Sequence, residues 1–281
     1  MTRTMRLLCS VLTVVLLAMP VFAEEGKGWT FSGRFQGSSN SDGLVTKADP
    51  TIGYGLNPHV QTYFGIPFYF VDGSSTATQQ VTSGFVSGLG NAYVGLRFKV
   101  DSDALKFSSI IEGTAPTGDK DKGFSTGRAT VDWTNILSYR INRLTPFGSG
   151  GISNTVSDTA FFVRPFSSLG LVSHFDGGTT LQLAPAVHIG ASVYAIQASG
   201  EQRIFSKIKR TGSSASLQKS NRVFETAAET IGSSSLTDDH GLATWVGIRA
   251  GSNADLRFGY TRSMGYDLNT LSFGIGFHLG N

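Results

Sequence analysis

The sequence predicts an all-β protein: a transmembrane, antiparallel, up-and-down β-barrel of twelve strands. Three observations carry that expectation. Charged residues are only 15% of the chain, against roughly 25% in a typical soluble domain, and mean hydropathy is close to zero. Segments of about ten residues alternate apolar and polar along most of the length, as a strand does with lipid on one face and water on the other. The connections between those segments are alternately tight and long.

The N-terminus comes first. Arg3 and Arg6 form a basic start, Leu7 to Met19 an apolar run, and Val21-Phe22-Ala23 a cleavage site. This reads as a signal peptide, residues 1–23, cut after Ala23. Its apolar run is shorter than the ~20 residues a spanning helix needs. Cys9, the only cysteine, leaves with it, so the mature chain 24–281 has no disulfide. Loss of Arg3 and Arg6 takes the formal net charge from +3 to +1. No global basic field remains for nucleic acid, and no later stretch is apolar for long enough to span as a helix.

The alternation is clearest from Arg128 to Ile141. Ala129, Val131, Trp133, Asn135, Leu137, Tyr139 and Ile141 take one face; Arg128, Thr130, Asp132, Thr134, Ile136, Ser138 and Arg140 take the other. Residues 91–100 and 270–279 repeat it. Twelve segments follow: 29–38, 44–55, 59–70, 90–100, 105–115, 128–140, 145–154, 161–174, 179–194, 241–250, 255–264 and 269–279. An even number suits a closed barrel, which has no unpaired edge. Every second connection is a tight turn, such as Asn57-Pro58, Asp101-Ser102-Asp103-Ala104 and Phe175-Asp176-Gly177-Gly178. Residues 71–89, 116–127 and 195–240 are the long ones. Short turns on the periplasmic side and long loops outside are the habit of outer-membrane barrels. A soluble β-sandwich would also alternate, but its wet face would be rich in Lys and Glu. Here that face is mostly Ser, Thr, Gly and Asn.

Strand parity places Arg34, Arg97, Lys99, Lys106, Glu112, Arg128, Asp132, Arg140, His188, Arg249 and Arg257 toward the lumen as pore-lining candidates. Basic residues dominate, a balance that favours anions. Tyr63, Tyr69, Tyr93 and Phe162 share that parity. Phe64, Phe68, Phe98, Trp133, Tyr139, Phe258, Phe273 and Phe277 take the lipid parity, where aromatics anchor a barrel in the membrane. The long loop 195–240 carries Arg203, Lys207, Lys209, Arg210, Lys219 and Arg222 without an acid among them, a pattern that attracts lipopolysaccharide phosphates. Within it, Phe224, Ala228 and Ile231 have the spacing of a short helix over 221–231, capped by Asn221.

Gly123-Phe124-Ser125-Thr126-Gly127 matches G-x-S-x-G, but that motif needs a strand before it and a helix after it, and here a strand follows. None of the five His residues has metal-ligand spacing. The reading contains no catalytic residue, no metal and no cofactor.

Gly88-Leu89-Gly90-Asn91-Ala92-Tyr93-Val94-Gly95-Leu96, Ala115-Pro116-Thr117-Gly118-Asp119, Ser125-Thr126-Gly127-Arg128 and Val131-Asp132-Trp133 resemble the outer-membrane family named for the MetA pathway of phenol degradation. Ile52-Gly53-Tyr54-Gly55-Leu56 is similar to its strand-and-turn pattern. The resemblance covers roughly residues 50–150, and Asn91 stands where the family often has Asp. It implies a barrel in the outer membrane associated with uptake of aromatic compounds. Together these features predict an outer-membrane channel or transporter, porin-like, for a small molecule such as an aromatic or hydrophobic compound. Its partners are outer-membrane lipid, lipopolysaccharide and the solute. The alternative is a closed barrel that acts at the surface through its long outer loop.

Overall fold

The computed structural model describes residues 27–40, 43–73, 80–81, 85–156, 163–207, 210–211, 229–251 and 253–279. The expected signal peptide and its cleavage after Ala23 lie outside them. Twelve antiparallel strands form a closed barrel. They are β1 (Gly28–Asn40), β2 (Gly43–Asn57), β3 in two parts (Val60–Gly65 and Phe68–Gly73), β4 in two parts (Val86–Leu89 and Tyr93–Asp101), β5 (Leu105–Thr114), β6 (Thr130–Tyr139), β7 (Leu144–Ser153), β8 (Phe166–Ala184), β9 (Val187–Ser206), β10 (Asp239–Arg249), β11 (Ala254–Ser263) and β12 (Leu268–Leu279). Each strand pairs with its sequence neighbours. β12 then pairs with β1 from Trp29 opposite Leu279 to Ser39 opposite Asn269. Closure gives every strand two partners, which a sheet in hydrocarbon requires. Among the described residues the only helix is the 3-10 turn Ser234–Leu236, and no helix is long and apolar enough to cross a membrane.

The period-2 alternation becomes inside and outside. Val94, Phe98, Val131, Trp133, Leu137, Phe175, Val193, Phe258 and Leu271 are exposed on the outer surface, each at 42% or more. Trp29 packs on Tyr54, and Phe258 on Phe273, across neighbouring strands of that face. Exposed apolar bulk on nearly every strand is what lipid contact demands.

The wall is interrupted at one place. β2 pairs with both parts of β3, with Thr51 opposite Gly65 and Ala48 opposite Phe68. Between those pairs stand Pro50 and Pro67, which have no N–H to give the ladder. On the far side of β3, residues 90–92 leave β4, and the Gly90 N–H donates to the Pro67 carbonyl at 2.7 Å. The segment expected as one strand over 59–70 is therefore bent, and β4 begins earlier than expected, at Val86.

Two expected boundaries move. β8 runs straight through Phe175-Asp176-Gly177-Gly178, and the tight turn falls between Ala184 and Val187. β9 continues to Ser206, so residues 195–206 are wall and not loop. Of the two mid-strand glycines, Gly178 serves packing: a Cβ there would overlap the Ala191 carbonyl on β9. Glu229–Gly232 adds a short strand to the end of β9 nearest the long connections, pairing with Gln202–Phe205. Ile231 is thus in a strand, not in the helix expected over 221–231; Phe224 and Ala228 lie outside the described residues.

Candidate functional site: the barrel interior

The interior divides into two parts. At the end that carries the long connections it is packed with apolar side chains. Val45, Tyr69, Val71, Phe166, Val172, Ile204 and Leu268 from the strands meet Phe124, Val156, Val163, Leu236 and Tyr266 from the connections. Phe124 is 2% exposed and stacks on Tyr69, ring centroids 5.3 Å apart at 15°. The Lys207 ammonium donates to the carbonyls of Arg164 (2.8 Å) and Phe166 (3.4 Å) and lies 4.3 Å from the Tyr69 ring centroid. Charge-assisted bonds to carbonyls are the way a buried ammonium is tolerated. The connection 115–129 is held inward as Ser167 Oγ donates to the Gly123 carbonyl at 2.9 Å. Gly123 has φ +72°, and a side chain there would strike the Ser206 carbonyl.

The two motifs that carried the family resemblance meet at the foot of this connection. The Ala92 N–H donates to Thr117 Oγ1 (2.8 Å), Thr117 Oγ1 donates to the Gly90 carbonyl (3.3 Å), and the Gly118 N–H donates to Asn91 Oδ1 (3.2 Å). The Pro-Thr-Gly-Asp segment therefore docks on the three residues that leave β4. Asn91, in the place often held by Asp, supplies its side-chain oxygen.

Toward the short-turn end the interior is polar and walled by glycine. Its large rings lie across glycines directly opposite them on the next strand. Tyr63 lies over Gly95, Tyr93 over Gly65, His174 over Gly151, His188 over Gly247 and Trp245 over Gly190. A ring laid on a glycine covers backbone that has no side chain to shield it.

The charged groups are organised on these rings. Asp49 receives Lys47 Nζ at 3.2 Å and Tyr93 Oη at 2.9 Å, with Arg34 at 3.9 Å. Tyr63 Oη donates to Glu112 at 2.8 Å, and the Arg97 guanidinium sits 5.9 Å from the Tyr63 ring. Glu112 is opposite Asp132, which His174 Nε2 approaches at 3.0 Å. On the other wall Arg257 stacks on Trp245 at 4.5 Å. Trp245 in turn reaches Phe147, centroids 6.0 Å apart. Phe147 is on β7 and Trp245 on β10, with β8 and β9 between them. Rings three strands apart can touch only by projecting into the lumen over intervening positions that lack bulk, here Gly178 and Gly190. Phe147, Trp245 and Arg257 therefore form one contiguous cluster inside the barrel.

The expected lumen residues distribute as follows. Arg34, Arg97, Lys99, Glu112, Asp132, His188 and Arg257 stand on inward-facing strand positions. Lys106 and Arg249 lie at the short-turn rim, each 3.9 Å from a carboxylate, Asp101 and Asp255 respectively. Arg128 and Arg140 fall beyond the two ends of β6 and are exposed; Arg140 donates to the Asp103 carbonyl. Counting charges by parity missed Lys47, Asp49, Asp176 and Asp255, and the three aspartates restore acid to the interior. It also missed Phe147, His174 and Trp245. The same alternation carried all of them: Trp245 shares its parity with Gly241, Ala243 and Gly247, a run of small residues that marks an inward face.

Of the outer basic cluster, Lys207 is buried at 4% exposure and Arg203 pairs with Glu229 at 3.6 Å. Lys209, Lys219, Arg222 and the aromatic Phe162 lie outside the described residues. Ser125 is fully buried and accepts the Gly127 N–H at 3.0 Å, the bond of a turn.

No family model and no curated protein matches the sequence. Solved structures do match. The COG4313 outer membrane channel from Pseudomonas putida F1 superposes with a TM-score of 0.59 at 11% identity, over 91% of this chain and 96% of that one. The fold is that of an outer-membrane barrel. The NanC porin superposes with a TM-score of 0.52 at 10% identity, over 89% of this chain and all of the other. At these identities the likeness is one of architecture, and it agrees with the strand count and closure described above.

Proposed function

We propose that this chain is an outer-membrane channel for a small solute. The short turns face the periplasm and the packed end faces outward. The observation that carries the reading is the polar, glycine-walled interior toward the short-turn end, with Phe147, Trp245 and Arg257 clustered inside it. The solved channel and porin of the same architecture support it as analogues. A solute with an aromatic or hydrophobic part suits the ring-lined interior and the Pro-Thr-Gly-Asp and Gly-Leu-Gly-Asn motifs of the phenol-pathway family. Export by a signal peptide cut near Ala23, and contact of the outer basic residues with lipopolysaccharide, complete this reading.

A specific observation favours a second reading. The outward end is packed around Phe124 and Lys207, as it would be in a closed barrel that acts through its surface connections. Single-channel recording in a planar bilayer under a salt gradient separates the two. Discrete steps support the channel. Silence from protein that is shown to be folded and inserted sinks it and leaves the surface role.

A further inference from the structure

We infer that the outward surface of β6, β7 and β8 is a binding site for an anionic phospholipid, with an acyl chain over Gly148 and Gly177 and the phosphate at Arg140 and Arg143. The inference rests on the membrane placement in the channel reading and not on transport.

Glycines of the inner face are accounted for by what presses on them. His174 lies over Gly151, Trp245 over Gly190, and the Ala191 carbonyl against Gly178. Gly148 and Gly177 differ. They stand directly opposite each other on β7 and β8, on the outward face. A Cβ on Gly148 would come no nearer than 3.9 Å to another atom, and one on Gly177 would meet nothing within 4 Å. Neither has a positive φ, so neither backbone geometry nor packing within the chain calls for glycine. A glycine inside a strand weakens it, and marks a place where something else approaches the backbone. The row across four strands is Leu137–Gly148–Gly177–Val193. Leu137 and Val193 are 50% and 66% exposed, and three strand spacings set their backbones roughly 14 Å apart. Between these two apolar ridges lies a notch two strands wide. A cavity of about 490 Å³ along it has a lining that includes Phe107, Leu137, Tyr139, Pro146, Gly148 and Gly150.

The turn that joins β6 to β7 carries Arg140 and Arg143, both exposed. The Arg140 guanidinium donates to the Asp103 carbonyl at 2.6 Å, and among the described residues neither arginine has a carboxylate partner. Two cations at the rim of an apolar notch match a phosphate joined to a hydrocarbon chain. A second copy of this chain seated on the notch would bring its own two arginines to the same rim, where like charges repel.

The test uses the whole barrel in detergent, titrated with phosphatidylglycerol and followed by native mass spectrometry. One saturable adduct per barrel is expected. The double variant Arg140→Gln, Arg143→Gln should weaken it about tenfold or more. Gly148→Leu and Gly177→Leu should each do the same. These leucines enter open space on two different strands, and the heat-resistant folded band on a gel checks every variant. Zwitterionic phosphatidylcholine should bind far more weakly, and glycerol phosphate, which lacks the chains, should not compete. The inference is overturned if phosphatidylglycerol gives no saturable adduct, if phosphatidylcholine binds as well, or if glycerol phosphate competes. It is equally overturned if the arginine variant or both leucine variants bind as the unaltered protein does. A dimer that Gly177→Leu abolishes would give the notch to a second copy and overturn it too. Conductance is not the readout, so failure here leaves the channel reading standing.

Discussion

The indole of Trp245 lies across Gly190, the residue directly opposite it in the β9–β10 ladder. A Cβ at position 190 would overlap Cζ2 and Cε2 of the ring. Gly190→Ala is therefore expected to push the indole further into the lumen and to destabilise the barrel by about 1–3 kcal/mol, the usual cost of overpacking. A lower temperature for loss of the folded gel band, with shifted Trp245 fluorescence in the background lacking Trp29 and Trp133, would register both effects. An unchanged spectrum would mean that the ring does not rest there.

The outward packing turns on Phe124 and Tyr69. Phe124→Ala removes the ring that stacks on Tyr69 and leaves a hole in the apolar cluster. The expected result is severalfold more frequent or larger conductance steps than in the unaltered protein. Identical recordings from the two proteins would show that the connection 115–129 does not limit the current.

Thr117→Val deletes two hydrogen bonds between the Pro-Thr-Gly-Asp segment and residues 90–92. It should cost about 0.5–1.5 kcal/mol per bond. Asn91→Ala removes the acceptor of the Gly118 N–H. Because both substitutions act on one docking surface, their effects should fall short of additivity in a double-mutant cycle. Strict additivity would separate the two contacts.

Asp119, in the connection 115–129, holds this segment in a pH-dependent way. Its slight burial acts to raise the carboxyl pKa. The Lys122 N–H, the Lys122 ammonium and the Asp121 N–H outweigh it, and the carboxyl sits below its ordinary value. A depressed folded pKa stabilises above the unfolded value of about 3.9, and that contribution disappears as pH falls through the folded value. Exchange of the Lys122 amide, corrected for intrinsic rate, should therefore lose protection at acid pH, and Asp119→Asn should abolish the pH dependence. Equal protection at neutral and acid pH would contradict the assignment.

Sequence patterning made the wall legible because a strand's period of 2 is set by backbone geometry alone. Val131, Trp133 and Leu137 take the lipid face as alternation requires, and the expected strand number matches the closed barrel. Turns were less legible. Asp176-Gly177-Gly178 has the composition of a hairpin, yet Gly178 is there because Ser192 and the Ala191 carbonyl press against it from β9. A glycine that yields to a neighbouring strand and a glycine that turns the chain look alike in one dimension. Moving that turn down to Pro185-Ala186 lengthened two strands without changing how many there are. The interior chemistry was legible only in part. Its residues follow parity, but whether a lysine pairs with a buried acid, as Lys47 does with Asp49, or lies exposed at the rim, as Lys106 does, depends on registers set by the whole closed sheet.

That closure has a cost in time. The seam between Trp29 and Leu279 joins the first strand to the last, so the longest loop in the chain must close before β1 and β12 are fully paired. Pairings so remote in sequence are slow to form. Until β12 arrives, β1 and β11 each keep an open edge, and open edges invite aggregation. Removing β12 should therefore leave an assembly intermediate that needs a chaperone, rather than a slightly smaller barrel.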